Sequence, residues 1–110
     1  MGRFVRGDGV VLPFPFSDLS ESKRRPALVL AHAGGDDVIL SMITSQARAD
    51  GFAVPVSTGD FATGALQHDS FVRPNRLFSA DSRIILYRAG ALSRGKLDEV
   101  IARVVALFQQ

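Results

Sequence analysis

Lys23, Arg24 and Arg25 stand side by side, immediately before Pro26 and the apolar run Ala27-Leu28-Val29-Leu30. Adjacent cations repel, and a strand entrance is made at lower cost with Gly, Asn or Asp. The triplet therefore points to an anion as its counter-ion. A second polar set, Thr44-Ser45-Gln46, closes the apolar run 38–44. A guanidinium, hydroxyls and a carboxamide all donate hydrogen bonds, and arginine can grip a phosphate with two at once. If the two apolar runs pair as antiparallel strands, the start of one meets the end of the other at a single sheet edge. Arg25 and Thr44 are then expected within side-chain reach of each other, around a shared phosphate, with Ser45 and Gln46 beside them.

The elements that must position this set are short. Residues 7–14 read as a first strand, with Pro13 and Pro15 marking its end or an edge position. A long polar loop spans residues 15–25. Residues 26–32 and 38–44 are continuous apolar runs, as expected of strands buried on both faces, and the AGGDD turn joins them into a hairpin. Residues 52–57 form a short strand that Pro55 demotes to an edge, residues 58–69 read as irregular, and residues 70–74 and 82–90 read as further strands. The tail differs. Leu97, Val100, Ile101, Val104, Val105 and Phe108 make one helical stripe, and Ser93 before it is an N-cap. Five or six short strands with one terminal helix predict a mainly β fold, a small bent barrel.

Composition sets the outer bounds. With 110 residues the chain fits one domain, residues 1–110, whose modest core would gain from dimerisation. Hydrophobic residues make up 46%, enough for a core and against disorder. The absence of cysteine excludes disulfides and thiolate metal sites. No stretch approaches the roughly 18–20 apolar residues of a membrane span, and the opening MGRFVRGDGVVL has no apolar leader. A soluble, cytoplasmic protein is expected. Eleven of its thirteen cations are Arg. Two causes stay open at this point: GC-rich coding, and selection for phosphate contacts.

With the phosphate set and the short-strand pattern in hand, the stretch RGDGVVLPFPFSDLSESKRRPALVL, followed by VILSMITSQ, resembles the PemK/MazF family of toxin endoribonucleases. The matching features are the Arg6-Gly7-Asp8 opening, the polar loop ending in Arg25-Pro26, and Ile43-Thr44-Ser45-Gln46. HDSFVRPNRLFSAD and GALSRGKLDEVIARVVALF resemble the later strand and the closing turn and helix, so the likeness covers nearly the whole chain. It implies an SH3-like (PemK/MazF/CcdB-like) barrel that forms a homodimer and cleaves single-stranded RNA without a metal or other cofactor. It implies Arg25 and Thr44 as catalytic residues. Ser20 and Glu21 match the family's loop Ser-Glu, with Ser17 and Ser22 as rivals for the serine. Lys23 and Arg24 become backbone contacts that guide the strand, and Asn75 and Arg76 fall near the family's polar-basic pair, with Arg73 extending the track. Phe14, Phe16 and Phe52 are candidates for stacking bases. The implied partner is a small acidic antitoxin that competes for the same cations.

Other classes fit less well. A histidine acid–base pair would need His32 and His68 together, but His32 is expected at the far end of the strand that begins beside Arg25, and His68 lies in an irregular stretch. Asp36-Asp37 sits in a turn with no third ligand at useful spacing, so no metal site is expected. The alternative function is a non-catalytic, CcdB-like toxin that poisons a protein such as DNA gyrase. That family relies on a tryptophan near its C-terminus, and this chain has none.

Overall fold

The computed structural model describes residues 4–14, 23–46 and 51–110. Its strands are β1 (Asp8–Phe14), β2 (Lys23–His32), β3 (Asp37–Thr44), β4 (Val54–Val56), β5 (Phe61–Gly64), β6 (Ser70–Asp81) and β7 (Tyr87–Leu92), followed by helix α1 (Arg94–Gln109). They form one antiparallel sheet in the order β4-β6-β3-β2-β1-β7-β5. The edges β4 and β5 do not pair with each other, so the curled sheet is a half-open barrel.

The apolar run of β2 is continuous because both of its faces are covered. Ala27 and Val29 join Val10, Leu12, Val38 and Leu40 in one core cluster. Leu28 and Leu30 join Ile43, Val54, Val72, Leu92 and Val100 in another. Alternate residues of a strand point to opposite faces, and each fully buried Val or Leu contributes about 1.5–3 kcal/mol. Helix α1 closes the second cluster with Leu97, Val100, Ile101 and Val104. The Ser93 hydroxyl accepts the Lys96 backbone N–H at 3.4 Å and starts the helix. Val105 and Phe108, expected on the same stripe, are instead exposed on its flank, Phe108 by 73%.

Three of the four prolines in the described strands sit where a missing N–H costs least. Pro55 is in edge strand β4. Pro13 lies beyond Val11, where β1 has lost β7 and pairs with β2 alone. Pro74 falls at an irregularity in the β3–β6 ladder, where the register jumps from Met42↔Arg73 to Ser41↔Leu77.

Several expected boundaries are corrected. β2 starts at Lys23, so the cationic triplet is part of the strand and not of the preceding loop. β6 does not stop at Pro74: residues 74–76 bulge out and the strand resumes to Asp81. Residues 82–84 form a 3₁₀ turn, and β7 begins only at Tyr87. Residues 61–64, read as irregular, form edge strand β5. The β5 reading failed because the strand owes its place to backbone fit and not to pattern. Gly64 pairs with Gly90, and a Cβ on Gly64 would lie 2.2 Å from the Ala89 carbonyl oxygen. Gly64 also has φ +64°, which favours glycine. Gly64→Ala is therefore expected to cost about 2 kcal/mol or more, a drop of roughly 8–15 °C in melting temperature. A thermal melt followed by circular dichroism checks this.

Candidate functional site

The hairpin of β2 and β3 sets the geometry. Ala27 pairs with Met42. Continuing that register by two residues on each strand brings Arg25 opposite Thr44. Both line one groove of about 970 Å3, together with Arg24, Pro26, Ser45 and Gln46. Arg25 and Thr44 are half-buried, whereas Arg24, Ser45 and Gln46 are exposed. The Thr44 Oγ1 accepts the Gln46 backbone N–H at 3.2 Å. A hydroxyl that accepts from one side keeps its own proton to donate on the other, so Thr44 is set up as a donor.

Strand β6 supplies the next cations, and a serine within β3 arranges them. Ser41 is fully buried, and its hydroxyl donates to the Arg73 carbonyl at 2.5 Å. That carbonyl sits where the ladder is broken by the 74–76 bulge, so the serine satisfies an acceptor at the point of irregularity. Met42 pairs with Arg73, which puts Arg73 on the Met42 face of the sheet. Arg73 and Arg76 both line the groove. The sequence signal for this device is a hydroxyl in the middle of an apolar strand, VILSMIT, which composition alone does not interpret.

The opposite wall comes from β1 and β7. Val11, Tyr87, Arg88 and Ala89 line it, and residues 65–68, leading from β5 toward β6, supply Ala65, Leu66, Gln67 and His68. Arg88 lies 3.7 Å from the carboxylate of Asp8, whose side chain is buried and also accepts the Val5 N–H at 2.9 Å. A buried carboxylate needs such partners. Asp8 thus tethers a groove arginine, a link that an aspartate heading an apolar strand could have suggested. Sequence reasoning passed over Tyr87, Arg88 and Gln67, and it set His68 aside because it lies in an irregular stretch.

The groove's charge is one-sided. Five arginines line it (Arg24, Arg25, Arg73, Arg76 and Arg88), with no carboxylate among the described lining residues. Codon usage can raise arginine content but does not gather arginines on one surface, so this clustering favours the anion explanation. Lys23 and Asn75 belong to the strands that build the groove but are not among its lining residues. Ser17, Ser20, Glu21 and Ser22 lie outside the described residues. Phe14 packs on Phe78 with ring centroids 4.7 Å apart, and neither Phe14 nor Phe52 lines the groove; Phe16 is outside the described residues.

His32 pairs with Val38 at the other end of β2, away from Arg25, so the two histidines do not meet. Near that end the Asp81 carboxyl is held down to about 2, mainly by side-chain hydrogen bonds from Arg83. This perturbed group caps the turn after β6 and lies outside the groove. Among the described residues no three His, Asp or Glu side chains gather as a metal-binding group, and no helix is long and apolar enough to cross a membrane.

The fold is thus a small half-open barrel, a curled antiparallel sheet with a terminal helix, carrying an arginine-lined groove at the end of its central hairpin. The model of the PemK-like, MazF-like toxins of type II toxin–antitoxin systems matches residues 5–108, and the chain belongs to that family. No protein of curated function matches it in sequence. Among solved structures it is similar to the MazE–MazF complex from Deinococcus radiodurans (TM-score 0.75, 24% identity, 96% of this chain and 95% of that one). It is also similar to an endoribonuclease in complex with its cognate antitoxin from a mycobacterial species (TM-score 0.75, 13% identity, 96% and 95%). A third likeness is to the Mycobacterium tuberculosis toxin MazF-mt6 (TM-score 0.68, 19% identity, 94% and 97%). At these identities the likeness speaks for the fold.

Proposed function

We propose that the protein is an endoribonuclease toxin that cleaves single-stranded RNA within the arginine-lined groove, without a metal ion. The observation that carries this reading is the shared groove of Arg25 and Thr44, amid four further arginines and no described carboxylate. RNA brings its own nucleophile, the ribose 2′-hydroxyl. The 2′-oxygen attacks the adjacent phosphorus and loses its proton to solvent. The P–O5′ bond breaks, and O5′ takes up a proton. The products are a 2′,3′-cyclic phosphate and a 5′-hydroxyl. Arg25 neutralises the charge that builds on the phosphoryl oxygens, and Thr44 donates to one of those oxygens or to the leaving oxygen. Arg24, Arg73, Arg76 and Arg88 hold the flanking phosphates. Ser45 and Gln46 border the reacting group, and Ser20, Glu21, Lys23 and Asn75 complete the substrate-binding set on the strength of the resemblance. A cognate acidic antitoxin occupies the same cations, and the active form is a homodimer, as the modest core of a 110-residue chain favours.

The test is to incubate the purified protein with an unstructured RNA in EDTA and analyse the fragment ends. Cleavage to cyclic-phosphate and 5′-hydroxyl ends is expected. Intact RNA in the presence of folded protein would favour the CcdB-like alternative, a toxin that acts by binding a protein.

His68 lines the groove, and that observation supports a second reading in which its imidazole protonates O5′. The two readings separate by magnitude. A general acid is worth about 10²–10⁴ in rate, so His68→Gln is expected to reduce the single-turnover rate by less than about tenfold under the arginine–threonine mechanism. A larger loss would move the proton transfer to His68.

A further inference from the structure

We propose that the ring of Tyr87 is a stacking platform for an RNA base held in the arginine-lined groove. The inference rests on the endoribonuclease reading and adds to it a site for a base, where the arginines provide only for phosphates. Tyr87 is the chain's sole tyrosine, and tryptophan is absent. It is 49% exposed on β7. Among the described lining residues it is the groove's only Phe, Tyr or Trp.

Its direction follows from the ladder. Val11 pairs with Tyr87 on one side and with Pro26 on the other. Residues directly opposite in antiparallel strands share a face, so Pro26, Val11 and Tyr87 form a row across three strands, and all three line the groove. Two interstrand spacings separate Tyr87 from Pro26, about 10 Å, and Arg24, two residues before Pro26 and on the same face of β2, lines the groove beside it. An aromatic half open to solvent in a groove lined by five arginines has the chemistry of a stacking surface, since every base offers a π-face. The wall is held firmly. Gly64 and Gly90 let β5 approach β7 closely, and Asp8 tethers the neighbouring Arg88. A rigid platform loses little freedom when a base settles on it.

Because Tyr87 is the only tyrosine and no tryptophan competes, the intrinsic fluorescence of the whole protein reports on this one ring. The probe is an unstructured RNA fully 2′-O-methylated, which binds but lacks the nucleophile for cleavage. Titration is expected to quench the fluorescence saturably, in parallel with the anisotropy of a labelled copy of the same RNA. Inorganic polyphosphate, an anion without bases, is expected to compete in anisotropy but to leave the fluorescence unquenched. Tyr87→Leu is expected to raise KM for unmodified RNA about ten- to a hundredfold with kcat little changed, whereas Tyr87→Phe stays within about threefold of wild type, because the ring and not the hydroxyl is required. RNA that binds by anisotropy without quenching, or wild-type KM in Tyr87→Leu, overturns the platform while the endoribonuclease reading stands. Normal cleavage by Tyr87→Leu with a lost dimer would assign the ring to a protein interface and also overturn it. If the wild-type protein neither binds nor cuts RNA, both readings fall together.

Discussion

Arg25→Ala is expected to lower the rate of RNA cleavage by about 10³- to 10⁵-fold, the range over which a single arginine stabilises a phosphoryl-transfer transition state. The effect should fall on the single-turnover rate. Affinity should change much less, because Arg24, Arg73, Arg76 and Arg88 remain in the groove to hold the flanking phosphates. Arg25→Lys is expected to recover only a small part of the rate, since a point charge cannot reproduce a planar two-pronged contact. The side chain lies near the start of β2 and is half-buried, so the thermal melt of each variant must be read beside its activity. A folded Arg25→Ala protein that cleaves within tenfold of wild type would remove the arginine from the chemistry and with it the proposed mechanism.

Thr44→Val should cost about 10²- to 10³-fold in rate, the scale of one donor lost from a developing oxyanion. Valine keeps the shape and removes the hydroxyl. Thr44→Ser keeps the hydroxyl and should stay close to wild type. The same hydroxyl accepts the Gln46 N–H, so Thr44→Val also removes a hydrogen bond at the strand end, with a stability loss of about 0.5–1.5 kcal/mol. The two effects separate experimentally: the melting temperature reports the turn, and the single-turnover rate at saturating RNA reports the donor. Equal rates for Thr44→Val and Thr44→Ser would show that the hydroxyl takes no part in the reaction.

The central hairpin was legible because its causes are local. The runs 26–32 and 38–44 are apolar on both faces, a turn of Gly and Asp joins them, and antiparallel pairing does the rest. That arithmetic alone sets Arg25 near Thr44, and the register from Ala27↔Met42 agrees with it. The helix was equally readable from its period and its Ser93 cap. Strand β5 was not, because apolar alternation is absent there and the Gly64–Gly90 approach that holds it is a contact between distant segments. The continuation of β6 through Pro74 was hidden for a related reason. A proline normally ends a strand, and the exception depends on a bulge whose carbonyl is satisfied by Ser41 from a neighbouring strand.

By itself, the order of residues settled that two polar sets, one around Arg25 and one around Thr44, must share a sheet edge, since strand period and turn chemistry act between near neighbours. Only the folded chain decided what faces that edge. Arg73, Arg76, Tyr87, Arg88 and His68 come from β6, β7 and the segment after β5, and they reach one groove through a bulge, a glycine contact and a buried aspartate. Those are long-range packing relations, and a linear pattern carries no record of which distant side chains will close the same wall.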